Sequence, residues 1–168
     1  MKHKTFIYTL ILSLLFPFAL IADETVNKSP ADDREYNIFS LKNGIDVITV
    51  SDPDLASSAA TLSVGVGFFQ DPDRAQGIAH FLEHMLFMGS KKYPSPNEYM
   101  EFINQNGGST NAFTAPEQTT YLFSINSNQF EPALDRLSSS LIEPLFEPTM
   151  VGKEINAVNS EWLLNRQS

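Results

Sequence analysis

The sequence predicts an α+β fold, an antiparallel sheet with helices packed on one face. Three observations carry that prediction. Asn43-Gly44 lies between two stretches in which apolar and polar residues alternate, the pattern of a β-hairpin. A second pair of short strands, about residues 109–114 and 119–125, is joined only by Ala115-Pro-Glu-Gln. The segments around these strands place apolar residues at helical spacing, above all residues 77–89 and 129–142.

The chain opens with Lys2 and Lys4, an apolar run from Phe6 to Ile21, and small residues at Ala19 and Ala22 ahead of Asp23-Glu24. That is the layout of a secretory signal peptide, residues 1–22, with cleavage expected after Ala22. A retained membrane anchor is the alternative. The run is shorter than the about 20 residues that a spanning helix needs, and Pro17 interrupts it. No cysteine follows it, which excludes a lipid-modified N-terminus. His3 belongs to the charged leader and has no assigned role. The expected location is therefore outside the cytoplasm, periplasmic in a Gram-negative bacterium and secreted otherwise, with no stable membrane anchor after cleavage.

Losing residues 1–22 removes two of the 11 basic residues and none of the 20 acidic ones, leaving 146 residues with a net charge of −11. That length suits one domain with a real core and has no room for a second. An acidic balance argues against a nucleic-acid partner and weakly favours cationic or neutral ones. The chain has no cysteine, so it is held by packing rather than disulfides, and any metal site does without thiolate.

Residues 23–35 carry little that can be buried and read as a flexible lead-in. Order is expected from about Tyr36, where the hairpin Tyr36-Asn-Ile-Phe-Ser-Leu and Ile45-Asp-Val-Ile-Thr-Val begins. The run from Ala59 to Phe69 reads as an inner strand, with Gly65 and Gly67 marking close approach of other backbone. Gln70-Asp-Pro-Asp-Arg then leads into the helix at residues 77–89. Beyond Gly89 a turn through Ser90-Lys-Lys-Tyr-Pro-Ser-Pro precedes a helix at residues 97–105, with Ser95 as its cap and Pro96 in its first turn. Tyr99, Phe102 and Ile103 share one face of it, and Asn106-Gly107-Gly108 ends it. After the second strand pair, the helix at residues 129–142 presents Phe130, Leu134, Leu137 and Leu141 as a core stripe. A last helix is expected over residues 149–167, with Val151, Ile155, Val158 and Trp162 supplying apolar packing.

The chemistry concentrates in Gly77-Ile-Ala-His-Phe-Leu-Glu-His-Met-Leu-Phe-Met-Gly89. Each helical residue advances about 100°, so His80 and His84 project from one face a turn apart, with Glu83 beside them. The other positions are apolar almost all round, as in a buried helix, where an idle Glu or unpaired imidazoles are costly. A lone core histidine satisfied by a backbone carbonyl would need no function. The full pattern His-x-x-Glu-His arises by chance in about one chain of this length in a few hundred.

A catalytic zinc takes three protein ligands from His and carboxylate and leaves a fourth position for water. His80 and His84 supply two. Glu83 is a candidate third, although a base for the zinc-bound water must itself be uncoordinated, and its place beside the ligands suits that role better. In the last helix Glu154 and Glu161 are seven residues apart, so both carboxylates share a face. By spacing they are the best candidates for the third ligand.

These motifs resemble the inverzincin peptidases of the pitrilysin and insulin-degrading type, the insulinase family, whose signature is His-x-x-Glu-His. The resemblance runs from about Tyr36 to the end through His80-Phe-Leu-Glu-His-Met-Leu-Phe-Met-Gly, Lys91-Lys-Tyr-Pro, Asn97-Glu-Tyr, Gly108-Ser-Thr-Asn-Ala-Phe-Thr and Glu154-Ile-Asn-Ala-Val-Asn-Ser-Glu161. It implies a pitrilysin-type metallopeptidase domain over residues 36–168, holding one zinc ion per chain. In that family 76 residues separate the second His from the downstream Glu ligand, and 76 lie between His84 and Glu161. The resemblance therefore makes Glu161 the third ligand, Glu154 an accessory carboxylate that supports the ligands, and Glu83 the general base of peptide hydrolysis without a covalent enzyme intermediate. It also implies that Asn111, Ala112 and Phe113 bind substrate, a peptide or small unfolded protein, along their strand by β-addition.

Family members enclose substrate between two halves. Against that pattern the domain is expected to be incomplete at its C-terminus, with further domains needed for a closed chamber. Two functional expectations follow. One is an exported zinc peptidase of which this chain is the N-terminal part; the other is a truncated, non-catalytic remnant that binds zinc and peptide.

Overall fold

The computed structural model describes residues 26–166. The expected leader at residues 1–22 and the adjoining residues 23–25 lie outside them, as does Gln167 at the end of the last expected helix. The described residues fall into two compact units, one ending at Asp52 and one beginning at Pro53. Among them no helix is long and apolar enough to cross a membrane.

The first unit is a hairpin of β1 (Glu35–Ser40) and β2 (Asp46–Ser51). The strands pair antiparallel from Glu35 opposite Ser51 to Ser40 opposite Asp46. Leu41 N–H donates to the Ile45 carbonyl at 2.8 Å, so the loop is Lys42-Asn43-Gly44, one residue longer than an Asn-Gly pair requires. Gly44, at φ 87°, takes the left-handed position that such a loop needs. Ahead of β1, the Asp32 carboxylate accepts bonds from the Arg34 side chain at 2.7 and 2.8 Å and from the Tyr36 hydroxyl at 2.9 Å.

The second unit is built on a three-stranded antiparallel sheet of β3 (Ser57–Val64), β4 (Ser109–Thr114) and β5 (Thr119–Asn126), in the order β3-β5-β4. Tyr121, Phe123 and Ile125 alternate along β5 and are almost wholly buried, as period-two side chains on one face must be. Helices cover that face: α1 (Ile78–Met85) and the turn after it through Leu86, α2 (Glu98–Gln105) through Tyr99 and Ile103, and α3 (Phe130–Ile142) through Ala133 and Leu137. An antiparallel sheet with helices on one face is thus the architecture found.

Several elements depart from expectation. Among the described residues β3 pairs with β5 alone and so lies at the edge of the three-stranded sheet, and it stops at Val64 because the chain then turns to dock on the 115–118 connection. A Cβ at Gly67 would lie 2.1 Å from the Ala115 carbonyl oxygen, whereas one at Gly65 would meet nothing within 4 Å. Of the two glycines only Gly67 is fixed by close approach. Next comes a short 3₁₀ turn, Phe68–Gln70, where the Gln70 side chain accepts from Gly67 N–H at 2.9 Å. α1 is not buried all round: Leu82 is 44% exposed. α2 starts at Glu98, and Ser95 meets it with its backbone carbonyl, 3.2 Å from Glu98 N, and not as a side-chain cap. On α3 Leu137 is buried and Phe130 and Leu141 pack against the core as expected, joined by Ala133 and Ser140, while Leu134 is 39% exposed.

The last helix, α4 (Pro148–Asn165), begins with proline in its first turn and buries no residue. Ile155 and Trp162 are 53% and 55% exposed, so the apolar face expected to pack is instead an open wall of a cleft. A backbone tie joins the segment after α1 to the connection before α4. Ser90 pairs with Pro144 in an antiparallel bridge, Lys91 N–H donates to the Glu143 carbonyl at 2.9 Å, and Leu145 N–H to the Gly89 carbonyl at 3.2 Å.

Candidate metal centre

α1 is short, and its position is set at both ends. At its start no side chain of Gly77 can cap it; the Asp71 carboxylate does so from the preceding loop, accepting Gly77 N–H at 2.6 Å and Ala79 N–H at 3.0 Å. Free N–H groups and the positive end of the helix dipole favour a carboxylate there. At its far end Met85 is completely buried and Phe87 stacks on Tyr99 with centroids 5.8 Å apart. Between these anchors Ala79 and Glu83 face inward, while His80 and His84 stand half-buried at the edge of the cleft.

α4 runs past that edge and brings both its carboxylates to the imidazoles. Glu161 Oε2 lies 3.4 Å from His80 Nε2, Glu161 Oε1 lies 3.6 Å from His84 Nε2, and the two Nε2 atoms are 3.2 Å apart. Glu154 reaches the opposite side of the second ring, 3.0 Å from His84 Nδ1. A carboxylate in that place favours the Nδ1–H tautomer of His84, and the other ring nitrogen, Nε2, faces His80 and Glu161. A carboxylate behind a ligating histidine fixes the tautomer and raises the basicity of the ring.

The residues fit a metal ion. A tetrahedral ion with bonds of about 2.0–2.2 Å to nitrogen and oxygen holds neighbouring ligand atoms about 3.3–3.5 Å apart; the two Nε2 atoms, 3.2 Å apart, lie close to that value, and the Glu161 carboxylate turns one oxygen to each ring, Oε2 to His80 at 3.4 Å and Oε1 to His84 at 3.6 Å. Among the described residues, His80, His84 and Glu161 form the group able to hold such an ion, their ligand atoms all within 4.8 Å of one another.

Glu83 is not in that group. It is 6% exposed, and its Oε2 accepts the Thr114 hydroxyl at 2.6 Å, yet it lines the same cleft as His80, His84 and Glu161. Nearby Tyr121 has its hydroxyl pushed up by burial and, secondarily, by the charge of Glu83, so it stays neutral. The cleft is open and about 1340 Å³ in volume. Asn111, Ala112 and Phe113 line it from β4, whose strand partner is β5 alone among the described residues, leaving its other edge unpaired.

The structure thus brings the residues singled out in the sequence together in four positions: His80, His84 and Glu161 meeting at the cleft, Glu83 beside them, Asn111, Ala112 and Phe113 on the β4 wall, and Glu154 behind His84. Two contributors escape sequence reasoning. Asp71 is six residues ahead of the helix turn it caps, outside the usual capping position, and Thr114 meets Glu83 only through tertiary packing. The one local signal was weak, an Asp in a loop leading to a helix whose N-cap position is glycine.

Comparison with known proteins places these features in context. The family model described as Insulinase (Peptidase family M16) matches residues 46–168. Insulin-degrading enzyme-like 1, peroxisomal, of Arabidopsis thaliana is 48% identical over 134 residues, 80% of this chain and 14% of that protein. Insulin-degrading enzyme of Homo sapiens is 46% identical over 136 residues, 81% of this chain and 13% of that protein. A crystal structure of pitrilysin superposes with a TM-score of 0.81 at 43% identity, over 85% of this chain and 15% of that one. The chain therefore spans about one seventh of the length of the relatives it matches.

Proposed function

The chain belongs to the insulinase family of metallopeptidases, and from that premise we propose that it carries the zinc site of a peptidase acting on peptides and small unfolded proteins. The observation that carries the reading is the meeting of His80 Nε2, His84 Nε2 and the Glu161 carboxylate, with one ligand atom from each within 4.8 Å of the others, and a further carboxylate, Glu83, outside that group on the adjoining wall. These three side chains would hold one zinc ion per chain, and Glu154 would support His84 from behind. When bound, zinc supplies Lewis-acid activation, making water acidic enough to lose a proton near neutral pH.

Glu83 is the general base. Its Oε2 is occupied by Thr114, which leaves Oε1 to accept the proton of the attacking water and return it to the leaving amine nitrogen. The substrate pairs with the unpaired edge of β4, so that Asn111, Ala112 and Phe113 lie along its backbone by β-addition. The human relative is named for degrading insulin, which supports peptides as the substrate class. Export rests on residues 1–22 and predicts a mature chain that starts at Asp23, to be read by N-terminal sequencing of secreted or periplasmic material.

Metal content and cleavage of an unstructured peptide, measured together, test the proposal. Wild type is expected to bind one zinc per chain, and a chelator is expected to abolish cleavage. Glu161→Gln should lower zinc occupancy, since one ligand charge is lost, whereas Glu83→Gln should keep zinc and lose hydrolysis. If Glu83→Gln released the metal instead, the assignment of base and ligand would be wrong. A second reading, zinc and peptide binding without turnover, is favoured by the open apolar wall formed by Ile155 and Trp162. Full zinc occupancy with no chelator-sensitive cleavage would select it.

A further inference from the structure

We infer that Thr114 is the positioning residue for Glu83, its hydroxyl fixing which carboxylate oxygen faces the reacting centre. This rests on the proposed role of Glu83 as base and adds the device that makes one oxygen available. The terminal torsion of a glutamate is broad and roughly two-fold, so an unanchored carboxylate exchanges its oxygens and swings over the cleft. Thr114 Oγ1 lies 2.6 Å from Glu83 Oε2, the short separation of a hydroxyl donating to an ionised acceptor. With Glu83 6% exposed, water competes poorly for that oxygen.

The strand end that carries the anchor is itself held. The Thr119 hydroxyl donates its one proton to the Val66 carbonyl at 2.9 Å, tying the β4–β5 end of the sheet to the segment that leaves β3, and so makes no hydrogen bond to Thr114 Oγ1, 3.4 Å away. Thr114 pairs with Thr119 as the last step of the β4–β5 register. It follows Phe113 directly on the strand whose free edge is proposed to receive the peptide. One element thus sets both the register of the substrate and the orientation of the base, which gives the hydroxyl a role beyond packing.

The test uses the full 168-residue chain as wild type, Thr114→Val and Thr114→Ser, with Thr114→Ala as a second hydroxyl-free form should valine there prevent folding. The first readout needs no turnover: side-chain NMR of Glu83. Wild type and Thr114→Ser are expected to show a single Glu83 conformer coupled to the hydroxyl, and the hydroxyl-free forms an averaged one. The second is peptide cleavage, where loss of the hydroxyl is expected to lower kcat about tenfold or more with KM nearly unchanged, as for one lost hydrogen bond to a charged group. Serine should restore kcat to within about threefold of wild type, and all forms should hold the same zinc. An unchanged Glu83 conformer or an unchanged kcat in the hydroxyl-free forms overturns the inference. Wild type that binds zinc without cleaving overturns the peptidase reading of this chain, and the Glu83 conformers then still decide the role of Thr114.

Discussion

Asp71 holds the start of the site helix with one carboxylate and two backbone N–H groups, and its removal would be felt at both imidazoles. Asp71→Ala is expected to cost about 1 kcal/mol, the usual value of a lost helix cap, and to lower the melting temperature by about 3 °C, as read by circular dichroism. An unchanged melting curve would show that water replaces the cap without loss. His80, Glu83 and His84 were readable because a single turn of helix fixes their mutual placement. For the downstream carboxylate periodicity cannot rank Glu154 and Glu161, which share a helix face, and only the family resemblance singled out Glu161. What separates them is the direction of approach: Glu154 meets the Nδ1 side of His84, and Glu161 the Nε2 side. Asp71 and Thr114 stayed hidden because their partners are set by tertiary packing.

The turn out of β3 offers a paired experiment on one strand end. Gly67 is buried, and a methyl group there would meet the Ala115 carbonyl, whereas Gly65 is exposed with open space about it. Gly67→Ala is expected to destabilise by about 2 kcal/mol or more through overpacking against backbone, and Gly65→Ala to stay within about 0.5 kcal/mol of wild type. Denaturant midpoints measure both, and equal effects would refute the close-approach account. The hairpin and the β4–β5 pair were legible from alternation and short connections. Strand order was not. Apolar residues continue through Val66 to Phe69 as though the strand did, and nothing local says that the chain leaves the sheet at Gly67 or that β5 rather than β3 is central. On α3 the large residues Phe130, Leu137 and Leu141 were legible from their spacing, whereas Ala133, which is wholly buried, carries too little apolar surface to stand out in the sequence.

Carboxylates that are hydrogen-bonded to cations in the folded chain lose their contribution to stability as they are protonated. Asp135 is one such group. Hydrogen bonds from Lys92 and then Tyr93 hold its carboxyl below the ordinary range. A depressed folded value means that the stabilisation is present above the unfolded value of about 3.9 and is lost as pH falls through the folded one. Asp135→Asn should therefore be less stable than wild type at neutral pH, and the two should converge as the solution is acidified below about pH 4. Parallel stability curves across that range would count against it. The bridge between Ser90 and Pro144 bears on the centre in another way. Along the chain 76 residues separate His84 from Glu161, but through the bridge the path is the 5 residues 85–89, the bridged pair, and the 16 residues 145–160. Loop-closure entropy grows as the logarithm of length, so this topological short cut, from 76 residues to 23, spares the chain about 1 kcal/mol of ordering before any ion arrives. His80, His84 and Glu161, the group able to hold an ion, are thus drawn together by the fold itself.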